Sequence, residues 1–142
     1  MRQMLRSRGL ILWVGACALC VSAQAQTFKL RCDVEGKFED APMKVAPARI
    51  VVEMQVIGRH FYYNVSGPTY YEMRVSTLVT EDFKGENLMS STHMGARRQQ
   101  RSNRQETEIL IDRASMELSA HNDVSLAGKP QRFQYTGKCR QA

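Results

Sequence analysis

Four cysteines carry the most reactive side chains of this 142-residue sequence. Cys17 and Cys20 lie in an apolar segment near its start, whereas Cys32 and Cys139 lie far apart, without a CxxC partner or a nearby histidine. Such a wide separation is a poor zinc signature. We therefore predict a Cys32–Cys139 disulfide. Because bridged Cα atoms lie roughly 4.4 to 6.8 Å apart, this bond makes the first and last strands neighbours.

Histidine and carboxylate residues offer the next candidate chemistry. His60, His93 and His121 show no metal-ligand spacing among themselves, and no G-x-S-x-G, S-x-x-K or H-E-x-x-H motif occurs. A small hydrolase could join His121 and Asp123 to a serine, but a triad is defined by geometry that a sequence does not contain. The sequence favours a non-enzymatic protein without a metal or another cofactor.

Arginines form the densest charge cluster. Arg97, Arg98, Arg101 and Arg104 could contact an anionic group or a partner, because arginine offers a planar fork of donors. No aromatic side chain is interleaved for base stacking, so nucleic acid is a poor candidate partner. A solvated loop also explains the cluster, and we favour it because charge runs are usually exposed.

Two tyrosine pairs flank a predicted hairpin. Alternation directs Tyr63 and Tyr71 inward and leaves Tyr62 and Tyr70 on the outer face. An exposed tyrosine pair could form an aromatic patch for a sugar or a protein, since the ring is flat and apolar with a polar tip. Aromatic residues also favour strands for packing reasons alone, and the sequence favours that interpretation.

The first 25 residues predict a secretory signal peptide. Three arginines precede an apolar run at residues 10–21, which is shorter than the roughly 20 residues that a membrane-spanning helix needs. Ala23 and Ala25 give an A-x-A site, so we predict cleavage after Ala25. The alternatives are an uncleaved anchor and a lipoprotein processed at Cys17 or Cys20.

Export places residues 26–142, a single predicted domain, in the periplasm or outside the cell. An oxidising compartment of this kind supports the disulfide. Part of the formal charge of +6 belongs to the leader arginines. The remaining basicity is therefore weak evidence for an anionic partner.

Apolar and polar residues alternate along most of residues 26–142, which predicts an all-β fold. We expect an antiparallel meander of about seven or eight strands, forming a small barrel or a two-layer sheet. The seven alternating segments are 28–34, 50–56, 61–65, 71–79, 109–111, 116–120 and 133–139, and an eighth is expected around Leu88 to Met94. We expect irregular structure at Gly36 to Pro47, 81–87, 95–106 and 121–130.

Three hairpins follow from keeping the apolar faces together. Val56 pairs with Phe61 around Gly58-Arg59, where a leading glycine suits a type II′ turn. The other two predicted pairs are Tyr63 with Met73 and Ile111 with Met116.

The segment "TEILIDRASMELS", followed by "YTGKCRQA", resembles a C-terminal pattern of small secreted proteobacterial β proteins, I-D-R-x-[ST]-G-x-L and then G-x-C. The matching residues are Ile111, Asp112, Arg113, Ser115, Leu118, Gly137 and Cys139. Met116 stands where the pattern has glycine. The resemblance implies an exported β protein and no particular activity.

The segment "SSTHMGARR" is more weakly similar to the serine-glycine loop of periplasmic inhibitors of C-type lysozyme, which are small disulfide-bearing β-barrels. Ser90, Ser91, Gly95 and Arg97 match that loop, but its spacing and following aromatic residue are missing. We predict a non-enzymatic protein that binds a cell-envelope component or another protein. The alternative is a lysozyme or protease inhibitor that inserts Ser91 to Arg98 into an enzyme cleft.

Overall fold

The structure, a computed structural model, describes residues 26–41 and 43–142. The predicted signal peptide and Pro42 lie outside the described residues. The described residues form nine strands and one 3₁₀ turn, and apolar residues alternate in most of the strands. The strands are β1 (Gln26–Phe38), β2 (Lys44–Ile57), β3 (His60–Ser66), β4 (Met73–Ser76), β5 (Phe83–Asn87), β6 (His93–Gln100), β7 (Glu106–Asp112), β8 (Glu117–Leu126) and β9 (Lys129–Gln141), and the turn spans Thr69–Tyr71.

The nine strands form one antiparallel sheet in the order β4-β3-β2-β1-β9-β8-β7-β6-β5. Each strand pairs with its neighbour in the chain except β4 and β5, and β1 pairs with β9 instead. The sheet therefore curls into a nearly closed barrel whose seam lies between β4 and β5. The prediction of an all-β antiparallel meander is confirmed, with the barrel as its form.

Side chains fill the inside of this barrel. Leu30, Cys32 and Val34 on β1 alternate inward and are almost fully buried. Aromatic rings pack at one end of the interior, around Phe133. The buried apolar residues form one continuous core cluster, and within residues 26–41 and 43–142 no polar or charged residue is fully buried. No described helix is long and apolar enough to cross a bilayer.

The predicted disulfide is confirmed. Cys32 lies directly opposite Cys139 where β1 pairs with β9. The bond therefore joins the first strand to the last, as the sequence predicts. It reinforces covalently one of the two strand pairs at the middle of the strand order, on the side of the barrel away from the β4–β5 seam.

The first predicted hairpin is also confirmed, whereas the other two have the correct faces but the wrong register. Val56 pairs with Phe61, and Gly58 has a φ of 62°. In the second hairpin Met73 pairs with Val65 rather than Tyr63. The reason is the 3₁₀ turn, which directs Tyr71 into the core, where its hydroxyl donates to the Ala46 carbonyl at 2.9 Å.

The third hairpin pairs Ile111 with Leu118 rather than Met116. The Asp112 carboxylate accepts hydrogen bonds from the N–H groups of Ala114 and Ser115 at 2.9 and 2.7 Å. Met116 takes a left-handed φ of 58° and donates its N–H to the Asp112 carbonyl. The turn therefore includes Met116, which shifts the register by two residues.

Several segments expected to be irregular are strands. Residues 81–87 contain β5, and most of residues 95–106 belong to β6 and β7. Residues 36–47 contribute to β1 and β2, and residues 121–130 form the hairpin of β8 and β9. The strand expected around Leu88 to Met94 is instead mainly the β5–β6 connection. Val79, expected to face inward, is 58% exposed because β4 ends at Ser76.

The β8–β9 hairpin closes with a two-residue loop, Ala127-Gly128, in which both φ values are positive, 50° and 74°. This is the pattern of a type I′ turn, which prefers asparagine followed by glycine. Ala127 is exposed, so replacing it costs no packing.

We expect Ala127→Asn to raise the free energy of unfolding by roughly 0.5 to 1 kcal/mol, because asparagine tolerates the left-handed region better than alanine does. Chemical denaturation of the two proteins measures the difference. Ala127→Val is the matched control and should lower stability, since a β-branched residue is strained at positive φ. Equal stabilities of all three proteins would contradict the turn assignment.

Candidate functional site

The seam of the barrel is an overlap of the chain after β4 with strand β5. A Cβ atom added to Gly85 on β5 would lie 2.5 Å from the Leu78 carbonyl oxygen and 2.7 Å from that of Ser76. Glycine is therefore required at this position for the two segments to approach so closely. The overlap places the outer face of β3 and β4 next to the inner face of β5 and β6.

A groove of about 390 Å³ runs along this seam, within the size range of small-molecule sites. Alternation explains which faces line it. Met94 and Ala96 are buried on β6, so Arg98 shares their inner face, whereas Tyr62 lies on the outer face of β3. The remaining lining residues are Gln55, Ile57, Tyr63, Asn64, Arg74, Val75, Ser76, Leu78, Thr80 and Phe83.

Two arginines line the groove. The Arg98 guanidinium lies 3.5 Å from the centre of the Phe83 ring, an arrangement that holds a cation without neutralising it. Arg74 is exposed on β4. Among the described residues, neither arginine forms an ion pair with a carboxylate. The groove therefore offers two guanidinium groups to an anion.

Apolar side chains complete the groove. Tyr62 and Phe83 contribute aromatic faces, and Leu78 is half-buried. Ile57 is 51% exposed at the rim, and Val79, which follows Leu78, is 58% exposed. Large apolar residues that are exposed next to a concave surface commonly mark a binding site.

A larger depression, of about 590 Å³, lies where β1 bulges against β2. Lys37, Lys44 and Glu35 place charges of both signs around it, and its one aromatic residue, Tyr135, is buried. It therefore offers neither an aromatic face nor a uniform charge, and the seam groove is the better candidate site.

The structure separates the four arginines that the sequence groups together. Arg98 lines the groove, and Arg97 points to the outer face of β6, so the prediction of one continuous loop is wrong for both. Arg101 and Arg104 do lie in the β6–β7 turn. Arg101 Nε donates to the Thr80 carbonyl at 3.3 Å, next to the groove, and Arg104 is exposed with a φ of 60°.

The tyrosines are also separated. Tyr62 is half-buried in the groove, whereas Tyr70 is 45% exposed and packs edge-on against Phe38 with ring centres 5.7 Å apart. Tyr63 and Tyr71 are buried, as alternation predicts. Tyr62 therefore belongs to the candidate site, and Tyr70 covers the aromatic cluster around Phe133.

Arg97 belongs to an ion-pair cluster on the outer face of β5 to β9. Its Nε donates to Glu108 at 2.6 Å, and its Nη1 donates to Glu86 at 3.0 Å. The bond to Glu108 raises the pKa of the Arg97 guanidinium above its ordinary value. His121 Nε2 lies 2.9 Å from a carboxylate oxygen of Glu106 on the neighbouring strand.

The residues of the hydrolase hypothesis lie in this cluster. Burial raises the pKa of the Asp123 carboxyl, but two hydrogen bonds from Arg132 and one from the Glu106 N–H more than offset this and hold the pKa below its usual value. The close contact of His121 is with Glu106, and that of Asp123 is with Arg132. Among the described residues, no serine hydroxyl is hydrogen-bonded to His121.

The segment of the inhibitor hypothesis is only partly a loop. Ser91 and Thr92 lie in the β5–β6 connection, where the Ser90 hydroxyl accepts N–H bonds from Thr92 and His93 at 3.2 and 3.0 Å. Residues 93–98 lie in β6, which is paired on both sides. The exposed tip of this hairpin is therefore short.

Comparisons of the chain with protein-family models, with curated proteins and with solved structures gave no match.

Proposed function

We propose that this chain is a non-enzymatic binding protein of the cell envelope or the extracellular space. Its seam groove takes an amphipathic ligand with one anionic group, such as a carboxylate or a phosphate. The observation that carries the proposal is a pair of arginines, Arg74 and Arg98, in an aromatic groove, neither of which is ion-paired to a carboxylate within residues 26–41 and 43–142. The anionic group binds the guanidinium groups, and the apolar part lies against Tyr62 and Phe83.

The charge of the groove supports this ligand class. A guanidinium bound to a carboxylate or phosphate forms short, charge-assisted hydrogen bonds. The ring of Phe83 holds Arg98 in place, so little side-chain entropy is lost when the ligand binds. An uncharged ligand of the same shape would leave both arginines without a partner.

Binding of decanoate, decyl phosphate and the uncharged decanol tests the proposal, with calorimetry and chemical-shift perturbation as the measurements. We expect the two anions to bind, and Arg98→Gln to weaken them about tenfold or more, since a hydrogen bond to a charged group contributes about 1.5 to 3 kcal/mol. The largest chemical-shift changes should occur at Tyr62 and Phe83.

The matched control is Arg31→Gln, which removes the same charge from an exposed position on β1. This variant should bind decanoate as the unchanged protein does. The proposal fails if the two variants bind alike, or if decanol binds as tightly as decanoate. Loss of affinity in both variants would indicate attraction by net charge instead of a site.

A further inference from the structure

Three potential metal ligands meet on the outer face of β7 and β8. Glu106 and Glu108 are two residues apart on β7, so their side chains point to the same side of the sheet. His121 on β8 lies directly opposite Glu108. One ligand atom from each of the three residues lies within 4.8 Å of the other two.

The charges around these residues favour a cation. Four carboxylates face two guanidinium groups in one connected cluster. The carboxylates are those of Glu86, Glu106, Glu108 and Asp123, and the guanidinium groups are those of Arg97 and Arg132. With a neutral imidazole, the cluster carries a surplus of negative charge that a divalent cation would neutralise.

The ligand set suits a transition metal. An imidazole nitrogen and carboxylate oxygens are common ligands of Zn²⁺, and three protein ligands leave one position open for water. The side chains of His121, Glu106 and Glu108 are 16%, 20% and 18% exposed. They are therefore partly shielded from water but remain accessible to an ion.

Arg97 occupies part of this site and is expected to compete with the metal. It holds Glu108, but it also donates to Glu86 at 3.0 Å. Arg97 can keep its bond to Glu86 when Glu108 turns to the metal. His121 Nε2 exchanges its contact with Glu106 for a bond to the metal, and the neutral imidazole then carries its one N–H proton on Nδ1.

We propose that Glu106, Glu108 and His121 form a binding site for one divalent transition-metal ion of the Zn²⁺ class. The spacing of residues in the sequence does not indicate this site, because its carboxylates and its histidine come from different strands and meet only through the register of β7 and β8. The site is independent of the seam groove.

Titration of the purified protein with Zn²⁺, followed by calorimetry and by the visible absorption of Co²⁺, tests the proposal. We expect one saturable site, with a thermal midpoint that rises with Zn²⁺ because the ion binds the folded state. His121→Ala should weaken Zn²⁺ binding at least about tenfold, as loss of a metal-site residue does. Glu108→Gln should also weaken Zn²⁺ binding about tenfold. It replaces His121→Ala as the test variant if the His121→Ala protein does not fold.

The matched control is His60→Ala, which removes a histidine from β3 and should leave Zn²⁺ binding unchanged. The Arg97→Gln variant distinguishes a metal site from an ion-pair cluster that has only a structural role. Its affinity for Zn²⁺ should be higher than that of the unchanged protein, because the substitution removes a competing cation. Absence of saturable binding, or equal affinity in the His121→Ala and His60→Ala proteins, would overturn the proposal.

Discussion

Reduction of the Cys32–Cys139 bond is expected to lower the free energy of unfolding by about 4 to 5 kcal/mol. The bond joins residues 107 positions apart, so it removes much of the conformational freedom of the unfolded chain in the loop-entropy account. A loss of this size is a large part of the stability of an ordinary small domain. Denaturant unfolding with and without reductant measures it.

The control for this experiment is the double variant Cys32→Ala/Cys139→Ala. It should unfold near the reduced protein and should not respond to reductant. The intact mass measured before and after reduction shows directly whether the disulfide is present, since reduction of one disulfide adds two hydrogen atoms. An unfolding midpoint of the unchanged protein that does not move with reductant would contradict the expected contribution.

Phe133→Ala should lower the free energy of unfolding by about 4 kcal/mol, within the usual range for removing a buried ring. Phe133 is 0% exposed. Its ring centre lies 5.1 Å from that of Phe38, 5.3 Å from that of Tyr71 and 5.8 Å from that of Tyr135. These residues come from three distant parts of the chain, so one substitution opens a cavity shared by all of them.

Tyr70→Ala is the matched control for Phe133→Ala. Tyr70 belongs to the same cluster, with its ring centre 6.0 Å from that of Phe133, but it is 45% exposed. We expect a loss of about 1 kcal/mol, the usual contribution of an aromatic pair. Thermal or chemical denaturation compares the two variants, and equal losses would show that Phe133 is not central to the core.

The β1–β9 side of the barrel and the β4–β5 seam contribute differently to the proposed ligand binding. Hydrogen bonds and a disulfide join β1 to β9. At the opposite side, β4 and β5 meet through an overlap that depends on Gly85. A sheet that opens there exposes side chains of its inner face, such as Arg98, without disturbing the core. The candidate groove is thus a consequence of where the barrel fails to close.

The fold class and the disulfide could be predicted because they depend on local patterns. Alternation of apolar residues along β1 places Cys32 inside, and the same reasoning on β9 places Cys139 inside. The Gly58-Arg59 turn follows from two apolar faces and one glycine. The strand register of the two hairpins with longer loops could not be predicted from the sequence. A side-chain hydrogen bond to Asp112 decided the register of one hairpin, and the burial of Tyr71 decided that of the other.

The sequence by itself determined the all-β meander, its inward faces and the bond between its ends, since the period of two and the turn residues act over a few positions. Tertiary structure alone decided the seam, because the short polar strand β5 and the Arg- and Gln-rich strand β6 lack clear alternation. It also brought Arg98 to Tyr62 and Glu106 to His121. The first meeting depends on how strands far apart in the chain are placed, and the second depends on the register of the β7–β8 hairpin, which the turn at Asp112 decides.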